Sequence, residues 1–261
     1  MIDIHAHILP GIDDGPETLD EAIEIANKAF KAGTKAIVAT PHTLNGLYRN
    51  DRNKVLGEVV NFRQTLKERD IPLDVLPGAD IALTPELIPC LDAGELMTIN
   101  DGRKYLLVEL QPYYFPEKIH KIIFALKTRG ITPIITHPER DALIMKNNEI
   151  LAGFIERGCL SQITAMSLTG GFGNKIKMLS AELIKSGMIH IIASDCHSAD
   201  KRPPSLKGAV DVAAELIGLT KAMKMVQDIP AAVMKGEGVD IPSPLIVNKK
   251  WGWPWSRFFA G

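Results

Sequence analysis

Apolar runs rich in Ile, Val and Leu recur seven times along this chain, and an amphipathic stretch follows each of them. That alternation is the pattern of parallel strands buried on both faces and joined by crossover helices. The strands are expected at 1–7, 35–41, 73–81, 104–110, 132–137, 160–166 and 188–195. Between the first two, Thr18-Leu19-Asp20-Glu21 has the form of a capping box. Ala22, Ile25, Ala26, Ala29 and Phe30 then line one helical face before Gly33 ends it. Further helical patterns fall around 53–69, 84–92, 116–129, 147–157, 174–186, 205–217 and 219–235. No internal repeat or low-complexity linker interrupts the series. The fold class is therefore α/β, a (β/α) barrel of seven or eight units in a single domain, with functional groups at the C-terminal ends of the strands.

The polar residues follow that rule. His5 and His7 close the first run, and on an extended strand residues two apart point to the same side, so both imidazoles can reach one ion. The later strand ends read Thr40-Pro41-His42, Gly78-Ala79-Asp80, Val108-Glu109-Leu110, Thr136-His137-Pro138-Glu139-Arg140 and Ser194-Asp195-Cys196-His197. Every strand end but the sixth carries a histidine or a carboxylate. One such residue, for instance Asp80, is more simply a hydrogen-bonding partner for a loop or helix end. Six together are another matter, because carboxylates packed into one mouth repel one another unless dications remove the conflict. Histidine and carboxylate oxygen without a thiolate cluster suit manganese, iron or zinc in an open catalytic site. The donors exceed what one tetrahedral ion can use, so two or three divalent ions are expected.

Composition closes other routes. A formal charge of −1 leaves no basic stripe for broad capture of nucleic acid. Three well-separated cysteines, Cys90, Cys159 and Cys196, argue against a disulfide framework and for the cytoplasm. No basic and apolar leader precedes the first strand, and no apolar run approaches the roughly 18 residues of a membrane span.

The ordered set of stretches resembles the polymerase and histidinol phosphatase (PHP) superfamily, and in detail its metal-dependent protein-tyrosine phosphatases from bacterial capsule and exopolysaccharide loci. The resemblance rests on Asp3-Ile4-His5-Ala6-His7, Pro10-Gly11-Ile12-Asp13-Asp14-Gly15, Thr40-Pro41-His42, Gly78-Ala79-Asp80, Glu109, His137-Pro138-Glu139-Arg140, Ser167-Leu168-Thr169-Gly170 and Asp195-Cys196-His197. It runs from residue 1 to about 235 and implies a trinuclear site in a distorted (β/α)7 TIM-like barrel. By position it implies that His5, His7 and Asp195 hold one ion, Glu109 and His137 a second, and Asp14, His42 and His197 a third. Asp80 takes the place of a bridging carboxylate, where the family usually has Glu. Asp14 alone would read as a turn residue of Asp13-Asp14-Gly15-Pro16, and Asp13 stays one. Arg140 and Arg202 match the family's phosphate-binding arginines, whose guanidinium fork suits phosphate oxygens. His120 is expected on an exposed helical face, and His190 as a structural residue of the seventh strand.

The expected activity is hydrolysis of a phosphomonoester by a hydroxide held between ions, with phosphotyrosine on protein, and a bacterial tyrosine autokinase in particular, as the implied substrate. Histidinol phosphate on the same scaffold is the nearest alternative, ahead of an amidohydrolase, which would need a metal-bridging lysine or equivalent, and of a metal-binding module without turnover. A thiol mechanism competes through Cys196 and Arg202, whose spacing matches cysteine-dependent tyrosine phosphatases. The intervening His197-Ser198-Ala199-Asp200-Lys201 has no glycine to open the backbone and places an acid where an anion would sit. The barrel domain is assigned to 1–240. The remaining 241–261 form a tail rich in aromatic and basic residues, which is expected to fold over the barrel or to dock weakly on a membrane or partner.

Overall fold

A computed structural model describes residues 1–111, 116–240 and 244. The tail assigned to 241–261 falls outside the described residues, Pro244 excepted. Among the described residues nine strands run in chain order: β1 (Ile2–Ala6), β2 (Ala36–Ala39), β3 (His42–Thr43), β4 (Asp74–Pro77), β5 (Asp80–Ala82), β6 (Tyr105–Glu109), β7 (Thr132–Thr136), β8 (Leu160–Thr164) and β9 (Ile191–Ala193). They form two parallel sheets, ordered β1-β2-β4 and β3-β5-β6-β7-β8-β9.

Nine strands answer to seven expected runs because the run 73–81 is divided and a short extra strand follows the run 35–41. Pro41, which has no N–H to give a ladder, separates β2 from β3. Gly78 separates β4 from β5, where a Cβ would lie 2.6 Å from Val38 Cγ1, so only glycine lets the two runs approach there. The last run returns to the first through two backbone hydrogen bonds, from Asp195 N to His5 O (2.8 Å) and from His7 N to Cys196 O (2.9 Å). The ladders thus make two sheets rather than one uninterrupted wall, with seven strand positions and helices between them. The expected α/β architecture stands.

Several boundaries shift for physical reasons. The run 160–166 leaves its strand at Thr164, and Ala165–Thr169 is already helical. The pattern at 219–235 divides into Leu219–Lys224 and Asp228–Lys235, and Pro230 falls in the first turn of the second helix, where a missing N–H is tolerated. The seventh run contributes only Ile191–Ala193 to the ladder, so His190 precedes its strand rather than lying within it. His120 is half-buried, its ring edge-on to Phe154 at 5.5 Å, and not on an exposed face.

Two apolar cores follow from strand alternation. The larger joins outward residues such as Ile37, Val75, Val108, Ile135 and Ile192 to the helices. The smaller gathers Ile4, Val38, Leu76, Leu107, Ile134, Leu160, Ile191 and Ala193. Residues two further along share the face of each smaller-core residue. Leu107 therefore leads to Glu109, Ile134 to Thr136, Leu160 to Gln162 and Thr164, and Ala193 to Asp195. One apolar layer is continued, toward the strand ends, by a polar one.

Candidate metal centre

All nine expected ligands and both arginines meet in that polar layer. His5 and His7, buried at the end of β1, place their Nε2 atoms 3.3 Å apart. Asp195 Oδ1 lies 3.4 Å from His5 Nε2 and 3.6 Å from His7 Nε2. Asp80, fully buried, brings Oδ2 within 3.6 Å of His5 Nε2, 3.4 Å of His42 Nδ1 and 3.9 Å of His137 Nε2. Glu109 Oε1 is 3.6 Å from His137 Nε2. Asp14 Oδ1 lies 3.6 Å from His42 Nε2 and 3.4 Å from His197 Nε2.

Among the described residues, three sets have donor atoms mutually within 4.8 Å: His7, Asp14, His42 and His197; His5, His7 and Asp80; and His42, Asp80 and Glu109. Asp80 and His42 each belong to two sets, as does His7. Asp195 falls outside the tightest set around His5 and His7, and His137 outside that around Glu109, although both stand within 4 Å of those neighbours. The donor chemistry fits divalent cations. Asp80 Oδ2 and His42 Nδ1 are both buried without a hydrogen-bond partner among the described residues while 3.4 Å apart, an arrangement that a shared cation would complete.

The charge states agree with that fit. Burial, followed by the charge of His197, takes His7 down to about 4, and burial with the nearby Arg140 does the same to His137. Both imidazoles are thus neutral near pH 7, the form that binds metal. Burial alone would raise the carboxyls of Asp80 and Asp195. For Asp80 the neighbouring histidines, His5 first, outweigh it, and for Asp195 His5 and Arg140 do; both acids stay ionised below the usual range. Glu109 goes the other way, to about 7, through burial and the negative charge of Asp80. That rise is the like-charge conflict which a cation relieves.

Residues outside the expected set orient its members. Gln162 Oε1 lies 2.9 Å from His5 Nδ1, and Asp13 Oδ2 lies 2.6 Å from His7 Nδ1, which leaves each Nε2 for the centre. Asp13 also accepts from Gly15 N and His42 N, so it is a turn residue and an orienting one at once. Gly15 is required by closeness, since a Cβ there would fall 2.8 Å from His7 O. Thr136 Oγ1 donates to Asp80 Oδ1, and Thr164 Oγ1 to Asp195 Oδ2, each at 3.3 Å. Glu139, fully buried, accepts from Ser167 Oγ (2.5 Å) and Thr164 N (3.2 Å) and so pins the turn between His137 and Arg140.

Two left-handed backbone positions lie here. His137 (φ 32°) and Asp195 (φ 52°) adopt left-handed conformations that cost an L-residue roughly 1–2 kcal/mol each. Arg140 and Arg202 both set Nη2 on Asp195 Oδ2, at 2.5 and 2.6 Å, and the Nε of each is buried without a partner among the described residues. Arg140 also lies over the Phe172 ring, 5.1 Å from its centroid. Cys196 has no exposure, and burial pushes its thiol up, away from the thiolate that a nucleophile needs.

An α/β scaffold of parallel strands with a histidine–carboxylate cluster at the strand ends defines a candidate metal-dependent hydrolase. The chain belongs to the family described as capsular polysaccharide synthesis, CpsB/CapC, whose pattern it matches over residues 1–235. It is 39% identical to the tyrosine-protein phosphatase YwqE of Bacillus subtilis over 202 residues, 77% of this chain and 79% of that one. It is 31% identical to the tyrosine-protein phosphatase CpsB of Streptococcus pneumoniae over 239 residues, 90% of this chain and 98% of that one. A crystal structure from work on YwqE and CpsB, described there as unique metal-dependent tyrosine phosphatases, superposes with a TM-score of 0.90 at 34% identity, covering 95% of this chain and all of the other. A hydrolase from Pseudomonas putida with a TM-score of 0.56 and 15% identity, covering 91% of this chain and 98% of its own, shares the fold alone.

Proposed function

We propose that this chain hydrolyses phosphomonoesters with two or three divalent cations, and that phosphotyrosine on protein is its substrate. The observation that carries the reading is Asp80, a fully buried carboxylate within 4 Å of three histidines and common to two candidate ligand sets. His5, His7 and Asp195 would hold one cation, Glu109 and His137 a second, and Asp14, His42 and His197 a third, with Asp80 shared. Manganese suits this oxygen and imidazole set, with iron or zinc as the other choices. When bound, the cations supply Lewis acidity toward phosphoryl oxygens and lower the pKa of a bound water.

The chain's own groups do the rest. Gln162 and Asp13 fix the ring orientations of His5 and His7. Arg140 and Arg202 meet on one carboxylate oxygen of Asp195, with guanidinium donors to offer a phosphoryl group as its charge grows. A tyrosyl leaving group, with a pKa near about 10, departs without strong acid help. The names of the relatives and the capsule-linked family support a phosphotyrosyl protein, a bacterial tyrosine autokinase among them, as the target. The cytoplasm is the compartment that fits Cys90, Cys159 and Cys196, all buried and free. No helix among the described residues is long and apolar enough to cross a membrane. Residues 1–240 constitute the catalytic domain in this reading.

Chelation is expected to abolish hydrolysis of a phosphotyrosyl peptide, with manganese restoring it, while Cys196→Ser keeps activity. Activity that survives chelation and disappears with Cys196→Ser would replace the cations with a thiol.

A further inference from the structure

Two cavities of ligand size open side by side at the mouth, and the chemistry accounts for only one. The inner, about 450 Å³, is lined by His42, Glu109, His137 and Arg140 and so belongs to the candidate centre. The outer, about 500 Å³, holds none of the candidate ligands or arginines. Asn45 and Gln111 line both, which makes them the shared wall. The outer cavity otherwise draws on the loop after β3, through Leu44, Leu47 and Tyr48, and on the loop after β5, through Thr84, Pro85 and Glu86.

The loop after β3 is built to stay in place. Asn45 Oδ1 accepts from Leu47 N (3.0 Å) and Tyr48 N (2.8 Å), which closes the turn at its tip. Asn50, buried, ties the far end down by donating from Nδ2 to Ile12 O (3.0 Å) and His42 O (2.8 Å). Leu44 holds a left-handed backbone, φ 59°, an expensive conformation for a leucine. Tyr48 lies nearly parallel to the His42 ring, 6.3 Å away, so the outer wall abuts the centre. On this tethered turn Leu47 keeps 84% of its surface exposed. One exposed leucine is ordinary on a protein surface, but Leu47 shares the rim of one cavity with Leu44, Tyr48 and Pro85, and a contiguous apolar rim is the form of a contact surface.

We infer that the outer cavity is the subsite for the polypeptide flanking the phosphotyrosine, which reads an uncharged or apolar side chain together with the peptide's own amides. The inference rests on the phosphotyrosine reading above. Its lining suits that occupant: Leu44, Leu47, Tyr48 and Pro85 supply apolar area, and Asn45 and Gln111 supply side-chain amides of the kind that bond a peptide backbone. Among the described residues its lining carries one arginine, Arg49, which pairs with Glu95 at 3.1 Å, and Glu86 adds a carboxylate, so the lining does not favour a second phosphate. A small aryl phosphate fills the inner cavity and leaves the outer one untouched.

The test compares the manganese-loaded full chain with Leu47→Asp and Pro85→Asp on a phosphotyrosyl decapeptide and on p-nitrophenyl phosphate. Both changed residues are exposed, and the aryl phosphate reports on folding and on the centre. Expected is a fall in kcat/KM for the peptide on the order of ten-fold, mostly through KM, with less than about a two-fold change for p-nitrophenyl phosphate. If wild type cleaves the peptide and the variants match it, or lose both substrates in parallel, the subsite is overturned while the phosphatase reading stands. A wild type that cleaves the aryl phosphate and spares the peptide overturns both.

Discussion

His7 at the mouth and His190 near the start of β9 are both buried, and burial takes both imidazoles down to about 4. Their surroundings differ in kind. His190 faces Ser161, whose Oγ lies 3.0 Å from Nδ1 and whose N–H donates to it at 3.1 Å, and among the described residues its Nε2 has no partner. His7 meets Asp13, Asp14, Asp195 and the rings of His5, His42 and His197. A depressed histidine pKa is therefore a statement about burial, and it takes convergent carboxylates to make a centre. His190 bonds to Ser161 of β8, and His7 stands in the proposed centre.

The largest expected contrast comes from Asp80→Asn. It removes a charge common to two candidate ligand sets, and hydrolysis should fall by about 10²-fold or more with loss of bound manganese. Steady-state kinetics beside metal analysis of the dialysed protein checks this, and a variant with full metal content and activity would reduce Asp80 to a buried hydrogen-bond acceptor. Gln162→Leu should act more mildly. It keeps the volume close and removes only the acceptor for His5 Nδ1, so metal affinity should weaken about 10- to 100-fold, read by a competition titration with a chelator. Unchanged affinity would mean that His5 is oriented by packing alone.

His190→Gln sharpens the other side of the comparison. The folded His190 binds its proton only near pH 4, whereas the unfolded chain binds one below about 6.5. As the pH falls through that window the unfolded state takes up the extra proton, so wild type loses stability there that the variant retains. The difference in unfolding free energy between the two should move by roughly 3 kcal/mol between pH 7 and pH 4, in the variant's favour on acidification. Urea unfolding at several pH values measures it, and parallel curves would show that His190 is not buried in the neutral form.

How much of this was legible in the sequence depended on what kind of contact held each residue. The spacing of His5 and His7 and the strand-end positions of His42, Asp80, Glu109, His137 and Asp195 were readable, because strand periodicity and the barrel rule dictate where such side chains go. Gln162 is neither a histidine nor an acid, so by residue type the sixth run shows no candidate. The signal lay in Leu160, Gln162 and Thr164 sharing the face that carries ligands on neighbouring strands. Asp13 looked like a turn residue and is one, but its second oxygen reaches a histidine six residues away through a loop whose path no local pattern encodes. The breaks at Pro41 and Gly78 could have been anticipated from residue type, whereas the edge contact of His120 with Phe154 depends on helix docking.

The most direct measurement is anomalous scattering from crystals grown with ample manganese. The account predicts two or three peaks among Asp80, His5, His7, His42 and His137, with neighbouring ions about 3.5–4 Å apart. Density without any peak among those side chains, at a manganese concentration that sustains turnover, would contradict it.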